Sequence, residues 1–329
     1  SKRRELSKDE RLDFISAVKC LQSKSGETSG TFAGVKSRYD DFVALHISQA
    51  DYIHWVGHFL PWHRSLLWLF EQALRNECSY EGSLPAVDWT QDVADVDSLL
   101  GSPVFDSEYG FGGNGDYIED ISAFPDEWVT DIDIPGRSGG GKLIQGCLTD
   151  GPFAGINASM GPGRHTEYTP HCIRRDISPW LMLRSLNVDT VNFVLNASSH
   201  FELDHRIEGL ALGVPAVSVH GGGHLGIGGM LGDMANTWSS TVDPIFWVHH
   251  GAIDRLWDIW QRNGTDWETR KSDIGGPDTQ WAYPYNYFGD KPYTNVTLDF
   301  AMNLGDVGGM VAIREVMDIR ASPLCFTYS

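Results

Sequence analysis

Apolar positions recur at helical spacing in several separate stretches of this chain, and at strand spacing in very few. Residues 8–22, KDERLDFISAVKCLQ, set Leu12, Ile15, Val18 and Leu21 three apart, the pattern of an amphipathic helix. A second helix is expected over 39–52, with Phe42, Leu45 and Ile47 inward around His46. A third starts at Pro61, where Leu67, Phe70 and Leu74 follow His63 at spacings of four, three and four, and ends near 76–78. Proline suits a first helical turn because its missing N–H would be unpaired there. Helices are also expected over 188–195, 201–210 and 243–261, the last with Phe246, His250, Ile253 and Trp257 on one stripe. Residues 85–175 read mostly as loop, with turns at GFGGNGD (110–116) and PGRSGGGK (135–142). The second lacks the GK[ST] ending and preceding strand of a phosphate loop, so it reads as a surface turn. Strand-like runs are confined to 142–148, 307–313 and 316–319. The expected fold is mainly α: a central helical bundle with long loops and a few short strands.

Histidines change the picture. His46, His54 and His63 flank the second and third helices, and His54 approaches from the loop between them. His220 and His224 lie four apart, which on a helix puts both rings on one face, and His250 sits on the last stripe. Two triplets of imidazole without neighbouring acids or thiols suit copper, zinc or iron, and a bundle core is where a paired-metal site is built. The HGGGH segment opposes its own helix, since each glycine costs about 1 kcal/mol against alanine. A metal clamping its two histidines offsets that cost, and the missing side chains are expected to leave open space beside the metal.

These blocks resemble the type 3 copper proteins of the tyrosinase and catechol oxidase family, in particular the short secreted polyphenol oxidases of ascomycete fungi. The resemblance rests on H-x7-H-x8-H ending in FLPWHR (59–64), on HGGGH (220–224) and on DPIFWVHHGAIDRLW (243–257). AVDW (86–89) departs from the family's PYWDW. The resemblance implies that His46, His54 and His63 hold one copper ion and His220, His224 and His250 a second, with His249 a packed neighbour. It implies that Phe246 lies over the first copper, and that the pair oxidises o-diphenols to o-quinones while O2 is reduced to water. Arg64 and Asp254 read as structural ion-pair partners at the rim of the core. His58, His165, His171, His200 and His205 read as packing or exposed residues. Phe326-Thr327-Tyr328 resembles the motif that closes the family's catalytic domain, after which longer relatives continue into a lid. Residues 1–329 are therefore expected to form a single catalytic domain without that lid, with an open site.

The resemblance also bears on substrate. In the family, hydroxylating a monophenol involves a water held between a buried glutamate upstream of the second copper's first ligand and an asparagine just after that ligand. Glu208 is the candidate catalytic carboxylate. Gly221 stands in the asparagine's place and Leu225 follows His224, so Gly221, Leu225 and Phe246 are the expected pocket residues. The expectation is a catechol oxidase with weaker monophenol hydroxylation. The alternatives are a tyrosinase with strong monophenolase activity and a haemocyanin-like O2 carrier. Tyr52 replaces the cysteine that some relatives join to the second histidine, so His54 is expected to be unmodified.

Composition narrows the setting. A net charge of −19 argues against nucleic-acid binding, whose phosphates need lysine and arginine. No run approaches the roughly 20 apolar residues of a membrane span. Cys20, Cys78, Cys147, Cys172 and Cys325 lack CxxC spacing, which suggests two disulfides of unassigned pairing and one free thiol. Asn157, Asn196, Asn263 and Asn295 open N-x-[ST] sequons, acceptor sites for N-linked glycans. With no signal peptide at a charged N-terminus, a processed, secreted protein is expected.

Overall fold

The computed structural model describes residues 5–122, 124–130, 144–209, 217–263, 266–282 and 291–328. Helix α1 (Lys8–Ser23) and helix α2 (Arg38–Ile53) each begin with a capping box, Ser7 with Glu10 and Ser37 with Asp40, which satisfies backbone N–H groups that have no partner within the helix. The buried face of α1 centres on Phe14, Val18 and Leu21, whereas Leu12 is 37% exposed. Ile15, Val18 and Leu21 of the expected stripe are buried as expected, and only Leu12 falls off the face, with Phe14 buried at that end of the helix in its place.

Helix α3 (Phe59–Cys78) starts two residues before the expected proline. Pro61 still sits among the first four residues, whose N–H groups lack an intrahelical acceptor, so the proline costs nothing there. Short helices α4 (Val96–Leu100), α5 (Pro179–Ser185), α6 (Val188–Leu195) and α7 (His200–Glu208) lead to α8 (Val219–Gly228) and α9 (Ile245–Gln261). α10 (Trp267–Arg270) and α11 (Gly305–Gly308) are single turns. α3 packs on α1, α2 and α9, and α8 packs on α5, α7 and α9. Helix α9 buries Phe246, Trp247, Ile253, Trp257 and Trp260 together, as a central helix does.

The strands form three antiparallel pairs: β1 (Gly115–Ile118) with β2 (Ile144–Leu148), β3 (Asn157–Ala158) with β4 (His171–Cys172), and β5 (Ala301–Asn303) with β6 (Met310–Ala312). The run expected as a strand over 316–319 instead begins on the last residue of a 3-10 turn, Ile313–Val316, and forms no strand. The glycine-rich turn over 135–142 and the first two residues of the 142–148 run lie outside the described residues. Cys20–Cys78 ties the end of α1 to the end of α3, and Cys147–Cys172 ties β2 to β4, leaving Cys325 free and exposed.

Two buried ion pairs hold the core. Arg64 Nε donates to Asp254 at 2.5 Å, its guanidinium lies 3.6 Å from the Trp257 ring centroid, and Nη1 donates to the Val316 carbonyl. Tyr328 Oη donates to the same aspartate at 2.5 Å. Arg64 and Asp254 are 1% and 3% exposed, so they lie inside the core and not at its rim. Arg175, which no periodicity or motif singles out, grips Asp243 through two bonds of 2.6 and 2.8 Å and donates to the carbonyls of Phe111 and Gly112. That anchors the start of α9.

Candidate metal centre

Helix α2 carries His46 and ends at His54, its C-cap, while His63 lies on α3. The ligand nitrogens of these three lie within 4.8 Å of one another, and so do those of His220 and His224 on α8 and His250 on α9. The two triplets face each other. The rings of His63 and His250 stack at 4.6 Å between centroids, and those of His54 and His220 lie 6.1 Å apart.

Backbone carbonyls set the tautomers. Nδ1 lies 2.6 Å from the Trp238 carbonyl in His46, 2.8 Å from Ala50 in His54, 2.9 Å from Phe59 in His63 and 2.8 Å from Met234 in His224. A carbonyl only accepts, so each Nδ1 carries the proton and donates, which leaves the Nε2 lone pair free. Nε2 of His46, His63 and His220 is buried with no protein partner. Nε2 of His224 and His250 face each other at 2.9 Å. Burial, reinforced by the neighbouring His54, lowers His46 to about 3; burial lowers His54 to about 4. His63, His220, His224 and His250 are pushed well below the usual value, again chiefly by burial. Neutral imidazole is the ligand form. Converging buried lone pairs without partners would be costly alone and fit two bound ions. Neither group contains a carboxylate, which argues against a carboxylate-bridged zinc or iron pair.

Two phenylalanines wall the site. Phe246 stacks on His250 at 4.1 Å and meets His46 edge-on at 5.2 Å, so it touches both triplets. Phe59 lies 4.6 Å from His63 and 4.7 Å from His220. It stands inside the FLPWHR motif, yet nothing in its spacing distinguishes it from a core residue. His46, His54 and His63 are fully buried, whereas His220, Gly221, His224 and Leu225 are half-buried. Among the described residues the site therefore opens along α8.

The glycines of α8 have separate uses. A Cβ on Gly222 would lie 2.4 Å from Ser185 Cβ, and one on Gly226 2.3 Å from Met182 Cγ; both are contacts with α5. The same position on Gly223 is filled by the His249 ring. Only at Gly221 is there room, with Val217 Cγ1 at 3.4 Å the nearest atom outside its own helix. Most of the space expected beside the metal is thus occupied by α5 and His249. His249 itself accepts from Trp89 Nε1 at 3.2 Å on Nδ1 and donates from Nε2 to the His220 carbonyl at 3.0 Å. Trp89 is the last residue of the AVDW segment.

Residues 36–263 match the common central domain of tyrosinase. The chain is 34% identical to tyrosinase P of Aspergillus terreus, over 99% of this chain and 90% of that protein. It is 35% identical to N-acetyl-6-hydroxytryptophan oxidase of Emericella nidulans, over 98% and 90%. This chain belongs to the tyrosinase family. A polyphenol oxidase of Thermothelomyces thermophila, solved as a glycine-to-asparagine variant, superposes with a TM-score of 0.81 at 30% identity, over 100% of this chain and 87% of that one. Recombinant mushroom tyrosinase shares the fold at a TM-score of 0.55 and 15% identity.

As a tyrosinase-family oxidoreductase, the chain takes a pair of copper ions as its cofactor, and the two histidine triplets suit them. Glu208, at the end of α7, is 6% exposed. Its Oε2 accepts from the Trp55 N–H at 2.7 Å, while Oε1 is buried with no protein partner. Burial, then the nearby Asp204, pushes its carboxyl well above the usual range, against the backbone N–H groups of Trp55 and Val56. The remaining histidines stay outside the triplets. His171 bridges the Thr169 carbonyl and Asp233, His165 pairs with Glu167 at the surface, and His58, His200 and His205 are buried.

Proposed function

We propose that this protein is a dicopper oxidase that converts o-diphenols to o-quinones, with His46, His54 and His63 holding one copper and His220, His224 and His250 the other. The carrying observation is the convergence of two imidazole triplets, one buried and one partly buried, in which Nδ1 of His46, His54, His63 and His224 is tied to a backbone carbonyl. When bound, the coppers supply the redox chemistry that couples phenol oxidation to O2 reduction. The chain's share is positional. Carbonyls of Ala50, Phe59, Met234 and Trp238 aim the imidazoles, Phe59 and Phe246 keep water from the space between them, and the half-buried edge of α8 admits the ring. Gly221 and Leu225 border that edge.

Preference for catechols over monophenols follows from Gly221. A phenol with a pKa of about 10 is rarely ionised at neutral pH, so its deprotonation needs a positioned base. Oε1 of Glu208 supplies one holder for a basic water, and Gly221 supplies no second. Export and glycosylation belong to the same reading: the disulfides suit an oxidising compartment, and Asn157, Asn196, Asn263 and Asn295 are all exposed.

The test compares rates on hydroxytyrosol and tyrosol together with copper analysis. About two coppers per chain and faster turnover of hydroxytyrosol are expected. Zinc or iron at the site would end the copper reading, O2 binding without turnover would favour a carrier, and equal rates would remove the catechol preference.

A further inference from the structure

Trp55 has a backbone φ of 54°, in the left-handed region that a bulky residue rarely enters and that persists only where neighbours enforce it. It directly follows His54, whose extended backbone closes α2. The reversal at Trp55 turns the chain toward α3, so the angle at which His54 faces His46 and His63 depends on it. Contacts on both sides hold the segment. On one side Gly57 N–H donates to the Pro277 carbonyl at 2.8 Å, and a Cβ on Gly57 would strike the backbone of Gly275 and Gly276. On the other, Glu208 reaches across from α7 and takes the Trp55 N–H at 2.7 Å. The Gly57 contact holds the chain beyond the reversal, and the carboxylate holds the peptide N–H that enters it. Together they pin φ at Trp55, and the carboxylate is the part on the side of His54.

We infer that Glu208 is a positioning residue for His54: its Oε2 clamps the left-handed turn at Trp55 and thereby holds His54 in its triplet. This rests on the reading of His54 as a copper ligand and adds to Glu208 a role separate from any water held at Oε1. Glutamine keeps an oxygen that accepts from Trp55 but, being a neutral amide, cannot make a held water basic. Alanine keeps neither. Glycine at position 55 adopts positive φ without a clamp.

Copper affinity at each site, measured by competition with a chelator, reads the clamp directly, and monophenol turnover reads the base. Glu208→Ala should weaken one of the two coppers by about 10–100-fold, the range for losing a residue that orients a ligand. Glu208→Gln should hold both within about threefold while losing monophenol turnover, and adding Trp55→Gly to Glu208→Ala should restore most of the lost affinity. Where the alanine variant does not fold, Glu208→Met keeps the volume without the acceptor and takes its place. Unchanged copper affinity in Glu208→Ala or Glu208→Met overturns the inference, as does failure of Trp55→Gly to rescue. A wild-type protein that never takes up two coppers would instead sink the reading of His54 as a ligand.

Discussion

The imidazole of His249 occupies the space that a Cβ on residue 223 would need, with Cε1 2.1 Å and Nε2 2.5 Å from that position. Neither partner can yield. The ring is held by Trp89 on one nitrogen and the His220 carbonyl on the other, and Gly223 lies in the turn between His220 and His224. Gly223→Ala should therefore displace His249 and disturb the His220 backbone. Overpacking of this kind costs about 1–3 kcal/mol. Thermal unfolding should fall accordingly and the copper held by α8 should weaken, while Gly223→Ala/His249→Ala should regain part of the stability. An alanine variant as stable as wild type would show that the ring has room to move.

Ligand assignment predicts a sharper loss. His63→Ala and His250→Ala should each leave about one copper per chain and remove nearly all catechol turnover, because the two ions act on O2 together. Metal analysis and oxygen uptake check this. Full copper content in either variant would contradict the assignment at that position.

Breaking the Arg64–Asp254 pair should destabilise the protein without touching the metal. Asp254→Asn leaves the guanidinium buried without its counter-charge and weakens the acceptor for Tyr328 Oη. Removing one partner of a buried pair costs about 3–5 kcal/mol. A large drop in thermal midpoint with copper stoichiometry retained is expected. A midpoint within a degree of wild type would mean that the pair adds nothing.

Stability should fall on the acid side. Burial lowers His58 to about 4 and His200 to about 3, against about 6.5 in an unfolded chain. Above that value both states are neutral at these sites. Below it the unfolded state takes up protons that the folded state refuses, so stability drops as pH falls from 6.5 toward 4. Neither histidine is a proposed ligand, so the copper-loaded protein should show the same trend. Denaturant titrations at pH 7.5, 6 and 5 would reveal it, and a flat profile would rule it out.

The sequence displays those parts of the molecule whose pattern is local. Helices α2, α3 and α9 are legible because each carries an apolar stripe several turns long, and the histidines stand out by their spacing on those stripes. Short α5 is not legible: seven residues show no period, and its role emerges only when Ser185 and Met182 meet Gly222 and Gly226. Strand β1, inside a glycine-rich turn, is hidden for the same reason. Arg175 sits among residues with no regular period, and its partner Asp243 lies 68 positions away. Phe59 looks like any core phenylalanine. The turn at Trp55 is invisible, since nothing in a tryptophan signals a positive φ.

Gly221 offers the most direct handle on substrate preference. Outside its own helix, only Val217 Cγ1 comes near the place a Cβ would take, at 3.4 Å, so an asparagine fits there without disturbing α5 or His249. An asparagine would bring an amide to the half-buried edge of α8, where the candidate water lacks its second holder. A better-held base favours the substrate that depends on deprotonation most, which is the monophenol. Gly221→Asn should therefore raise the tyrosol rate relative to hydroxytyrosol, by up to roughly tenfold for a gain of about 1.4 kcal/mol in the transition state, with copper content unchanged. The effect should vanish in Gly221→Asn/Glu208→Gln, because the other holder is then gone. A ratio that stays flat in the single variant, or rises equally in both, would separate substrate preference from this water.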